Sequence, residues 1–162
     1  MPKAYLIRCV LDTEEDVVRD ILILENSRLS LMHKAIINAF GIAPGEMSSF
    51  FRSNDNWEQG EEISMMDFNP ENGQNALDQN ILNQHFAEKG DRMLYVYDFL
   101  NLWTFYLELV DIHEPDQEKA YPRLVGKLGE APAEAPAKNL ANGQGDEDIT
   151  EDDEGLDEGQ WY

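Results

Sequence analysis

Only one cysteine, Cys9, occurs in 162 residues, so neither an internal disulfide nor a multi-cysteine zinc site can form. Basic residues are scarce as well: 12 Lys and Arg stand against 33 Asp and Glu, a net charge of −21. A surface of that sign disfavours gripping a phosphate backbone, which depends on cations displacing counterions. Lys3, Arg8, Arg19, Arg28, Lys34, Arg52 and Arg92 are too interspersed with acids to promise a basic stripe, so nucleic acid is an unlikely partner. Unbroken apolar runs are only a few residues long, far short of the roughly 20 that a membrane helix needs. Met1-Pro2-Lys3 opens no charged-then-apolar leader. The reading is a soluble protein of a reducing compartment, the cytoplasm.

What is present suits one domain with a tail, since 42% of the residues are apolar. The boundary is compositional. From Glu130 the chain reads EAPAEAPAKNLANGQG and then DEDITEDDEGLDEGQWY, with no Lys or Arg after Lys138. Residues 1–129 are therefore expected to form the domain and 130–162 a disordered Ala/Pro linker and acidic tail. The oxygens of Asp146, Asp148, Thr150, Asp152 and Asp157 echo a calcium loop, but Glu151 stands where that loop needs its sharp-turn glycine. A solvated polyanion that improves solubility or shields a basic partner is the better reading of this stretch.

Within the domain, Tyr5, Ile7, Cys9 and Leu11 alternate in a strand, and Val17–Leu24 returns as its hairpin mate. Leu29, Met32, Ile36 and Phe40 then fall on one face of a helix, with Asn26 or Ser27 as N-cap and Gly41 as the stop. Short strands are expected over 47–53, around Trp57 and over 61–68, a loop over 67–77, and a two-turn helix over 81–88. A second hairpin follows, in which Met93, Tyr95, Tyr97 and Phe99 alternate, then Trp103, Phe105, Leu107 and Leu109. This order predicts an α+β fold: a mixed β-sheet with one main amphipathic helix packed across it, β-grasp-like in topology.

Candidate chemistry is thin. His33 lies at the margin of the helix stripe, and Asp98 is flanked by aromatics that could raise its pKa by desolvation. These are the two weak catalytic candidates, and an enzyme would need them close together in a cleft between helix and hairpin. The bland readings are a hydrogen-bonded structural histidine and an aspartate that caps a turn. His85 and His113 have no partner at metal-ligand spacing, so no metal site is expected. Phosphate-loop, dinucleotide and nucleophile-elbow motifs are missing, and no cofactor is expected. Cys9, among apolar strand neighbours, reads as packing.

Several segments together resemble the plasmid pRiA4b ORF-3-like family, also known as the insertion-element passenger TnpR family. The matching stretches are Val17-Val18-Arg19-Asp20-Ile21, the helix from Arg28 through His33 to Phe40-Gly41-Ile42, the block Gly90-Asp91 through Tyr95-Val96-Tyr97-Asp98-Phe99 and Trp103 to Leu107, and Tyr121-Pro122 through Gly126 to Pro132. The likeness spans about residues 4–132, and His33 falls on the family's helix histidine. Departures are equally informative: the family's polar Gly-Asp becomes Leu100-Asn101, its histidine after the tryptophan becomes Phe105, and its histidine pair after the helix becomes Glu46-Met47-Ser48-Ser49-Phe50. The family has no established activity, and its TnpR label implies at most an accessory role in DNA transactions of mobile elements. Loss of titratable groups beside retained aromatics favours a non-enzymatic interaction domain that meets a protein partner, basic and recognised by the acidic tail. Tyr97, Phe99, Trp103 and Phe105 are the expected binding residues, and some of them must then face solvent.

Overall fold

The computed structural model describes residues 1–135. The expected acidic tail lies, from residue 136 on, outside the described residues. Strand β1 (Ala4–Leu11) buries Tyr5, Ile7, Cys9 and Leu11, the period-two set read from the sequence. It pairs antiparallel with β2 (Val18–Leu24) from Ala4↔Leu24 to Val10↔Val18, and the Leu11 amide donates to the Val17 carbonyl where the chain turns. Helix α1 (Leu29–Phe40) follows and buries Leu29, Met32, His33, Ile36, Ile37 and Phe40. Gly41 ends it in the left-handed conformation at φ 71, and the Ile42 amide closes back on the Ile37 carbonyl. Its start differs from expectation. Neither Asn26 nor Ser27 caps it: Arg28 holds the cap position without a side-chain bond, and the Leu29 amide is satisfied by the Asn80 carbonyl at 2.9 Å.

Strands β3 (Ser48–Arg52) and β4 (Glu62–Ser64) occupy two of the three short-strand segments. Trp57 belongs to none. It sits in a turn at φ 58, where it packs edge-on against Tyr106 and lies under the guanidinium of Arg92. The next helical turn comes earlier than its apolar spacing suggested. Asn75 and Asp78 form a reciprocal capping box that starts α2 (Ala76–Gln79) inside the expected loop, leaving only a 3-10 turn at Leu82–Gln84 in place of the two-turn helix over 81–88. The second hairpin is β5 (Arg92–Tyr97) and β6 (Trp103–His113), paired from Arg92↔Glu108 to Tyr97↔Trp103. A last strand, β7 (Arg123–Leu128), was not anticipated; it pairs with β2 at the sheet edge.

The seven strands form one sheet in the order β4-β3-β5-β6-β1-β2-β7. Every pairing is antiparallel, which corrects the mixed sheet. No parallel pair of the kind that closes a β-grasp occurs among the described residues. The α+β class itself stands, with helices confined to short connections and α1. The aromatic core lies on the sheet face that α1 covers: Phe40 stacks on Phe105 with ring centroids 4.7 Å apart, and Phe50 and Phe105 flank Tyr95 at 4.7 and 5.6 Å.

One buried charge binds three elements. Arg19 is 2% exposed, and its guanidinium donates to the carbonyls of Ala39 in the last turn of α1, Leu128 in β7 and Val18, at 2.8–3.0 Å, over the face of Phe40. The negative end of the helix and three carbonyl oxygens meet the cation's solvation needs where no carboxylate does.

Candidate functional site

Where α1 ends, the chain loops through Ala43 and Glu46 to β3, and this loop is tied to β5 by a single phenol. Tyr97 Oη donates to the Ala43 carbonyl at 2.6 Å and accepts from the Glu46 amide at 3.1 Å. One residue on, Asp98 takes a left-handed conformation at φ 66 that bends β5 into its turn, and its amide donates to Met47 O at 2.8 Å. Its carboxylate accepts from the Leu100 amide, the Asn101 amide and, at 2.6 Å, Asn101 Nδ2. The aspartate therefore builds the turn and has its oxygens committed to it.

The turn delivers Trp103 to the start of β6. Beside it opens a cavity of about 480 Å³ walled by Phe40, Tyr97 and Trp103, with Glu46 and Asp98 on its polar side. Ala131, Pro132 and Ala133, on the segment that leaves β7, form the remaining wall.

His33 does not line this cavity. Its Nδ1 stands 2.5 Å from Tyr95 Oη and 3.2 Å from Ser48 Oγ, inside the core. Burial, with Lys34 adding its charge, pushes the imidazole down to about 4, so it is neutral at pH 7. Burial raises the Tyr95 phenol well above its ordinary range, so that hydroxyl keeps its proton. His33 and Asp98 share no hydrogen bond, and the partners of each are spoken for. The alternation of β5 sends Tyr95 towards α1, while Asp98 sits beyond the strand end.

The four aromatic binding candidates divide between core and surface. Tyr97, Trp103 and Phe105 are buried and cannot form an open contact surface. Their alternation places them on the face covered by α1, with Tyr97 opposite Trp103 and Tyr95 opposite Phe105. Phe99 alone of the four is exposed, at 37%, and its neighbours are Leu100 at 87% and Leu102 at 39%. Three apolar side chains thus crowd a tight turn that Asp98 holds in shape. The sequence carried a signal for Leu100 in its departure from the family's polar Gly-Asp, but nothing pointed to Leu102.

Burial lifts the Cys9 thiol far above its ordinary value, so it is no nucleophile. His85 Nε2 meets Asn80 Oδ1 at 3.0 Å. Among the described residues, no three His, Cys, Asp or Glu side chains gather in a group that could hold a metal ion. No helix there is long and apolar enough to cross a membrane.

An antiparallel α+β sheet domain with an aromatic cavity beside an apolar turn is the class that fold and site define. The family description "Plasmid pRiA4b ORF-3-like protein" matches residues 3–137, and the chain belongs to that family. The fold is similar to the crystal structure of a protein of unknown function, MM3350, from Methanosarcina mazei Go1: the TM-score is 0.65 at 21% identity, over 78% of this chain and 70% of that one. No curated protein matches the sequence.

Proposed function

We propose that this chain is a non-enzymatic protein-interaction domain of the cytoplasm that presents the β5–β6 turn to a basic partner. The observation that carries the reading is the exposure of Phe99, Leu100 and Leu102 on a turn fixed by Asp98, since a rigid apolar tip loses little conformational entropy on docking. Charge selects the partner's sign. The chain carries −21, and Lys3, Arg8, Arg52, Lys89, Arg92, Lys119 and Lys127 each stand beside a carboxylate. Such a surface attracts cations and offers phosphate little to hold. The acidic residues beyond Gly145 add to the same attraction.

A photo-crosslinking amino acid at position 100 tests this in extract of the source cells. A discrete crosslinked protein is expected, lost in the Phe99→Asp background and weakened by added salt. Absence of any crosslink at the tip, or a crosslink indifferent to Phe99→Asp, would count against the turn as the contact surface.

A further inference from the structure

Residues 130–137 are a tandem repeat, EAPA-EAPA, and Ala131, Pro132 and Ala133 of its first half line the cavity. Ala131 and Ala135 occupy the same place in the two repeats, and both pack against the core. Each precedes a proline, which biases it to extended backbone, while the proline ring fixes its own φ. Pro132 faces into the cavity with Trp103, Tyr97 and Phe40 among its other walls. The strap bends at Ala133 and Glu134, and it sets Pro132 beside the aromatic walls of the groove, the pairing of proline with aromatics that proline-rich recognition uses.

The strap is held lightly and aimed firmly. Among the described residues no backbone hydrogen bond joins 130–135 to the rest of the chain. Its direction is set at Gly129, which has φ +76 and lies so close to Asp16 that a methyl group there would collide with the Asp16 carbonyl oxygen. The strap also has the wrong charge for its seat. It carries Glu130 and Glu134 past a groove whose polar side is Glu46 and Asp98, and among the described residues Glu130 has a countercharge, Lys127 at 3.7 Å, while Glu134 has none.

We propose that this cavity is a docking groove for an extended Ala/Pro-rich segment of a basic partner, occupied in cis by the chain's own acidic EAPA strap, which the partner segment displaces. An intramolecular strap acts at high effective concentration, so it holds off weak competitors; lysines in place of its glutamates would favour the incoming segment at the acidic rim. The inference rests on the proposed reading only for the sign of the partner's charge. The tip and the groove are separate surfaces, so crosslinking at position 100 and peptide binding here fail independently.

The test uses the full chain and two synthetic peptides, KAPAKAPA and EAPAEAPA. Gly129→Ala misdirects the strap without changing charge, and Ala131→Asn/Ala135→Asn removes its apolar contacts should the first variant lose β7. Binding is followed by fluorescence anisotropy of labelled peptide and by the amide signals of Gly41 and Ala43 and the indole signal of Trp103 in NMR spectra. A strap-released variant is expected to bind KAPAKAPA at least tenfold more tightly than the unaltered chain does, with shifts at those three residues. It should also prefer KAPAKAPA to EAPAEAPA at low salt. Equal binding by the unaltered and released chains, no binding by either, or equal affinity for the two peptides would overturn the proposal.

Discussion

His33 Nδ1 and the Tyr95 hydroxyl lie 2.5 Å apart across the junction of helix and sheet, a neutral imidazole facing a buried phenol. The imidazole titrates near 4 when folded and near 6.5 when free, so between those values the unfolded chain binds the extra proton. The contribution of His33 to stability is therefore complete above about pH 6.5 and is lost as pH falls through about 4. Urea unfolding at a series of pH values should show the stability difference between the unaltered chain and His33→Gln shrinking across that window. A difference independent of pH would mean that the ring is not held neutral.

Arg19 is the cation of the core, and its donors reach three elements at once. Arg19→Met leaves buried carbonyls unmatched and should cost about 2–4 kcal/mol in chemical denaturation. Arg19→Lys should recover only part of that, because a single ammonium cannot span the fork of the guanidinium.

Asp98 acts on the turn through both its backbone conformation and its carboxylate. Asp98→Asn keeps an acceptor oxygen and a residue tolerant of positive φ, so its melting temperature should stay close to that of the unaltered chain. Asp98→Ala loses both and should destabilise by about 1–2 kcal/mol. Equal losses in the two variants would show that charge, which both remove, and not turn geometry, is what Asp98 supplies.

Leu100 is almost wholly exposed, so Leu100→Asp should change stability by no more than about 0.5 kcal/mol in urea unfolding. A larger loss would show the tip to be part of the domain's own packing and unavailable to a partner.

Much of this architecture could be read ahead of the coordinates, and the reasons are local. Helix α1 announced itself because Leu29, Met32, Ile36 and Phe40 keep helical spacing up to a glycine, and β1, β5 and β6 because each has one fully buried face. Strand β7 left no such trace: Leu124, Val125 and Leu128 are exposed, so no alternation of buried and open positions marks it. The short α2 was hidden in an Asn/Gly-rich stretch whose decisive feature is the Asn75–Asp78 cap. The aromatic run was visible, but alternation reports which residues share a face and not whether a helix covers that face. Exposure at Phe99, Leu100 and Leu102 depends on where the hairpin turns, and that is fixed by the pairing of Tyr97 with Trp103.

An outermost strand is ordinarily the first part of a sheet to fray. Here β7 is riveted through Arg19 to the final turn of α1, so it cannot peel off while the helix stays intact. Amide hydrogen exchange at the paired positions of β7 should accordingly keep pace with that of the helix, and the border of the molecule should open only as part of a larger cooperative unit.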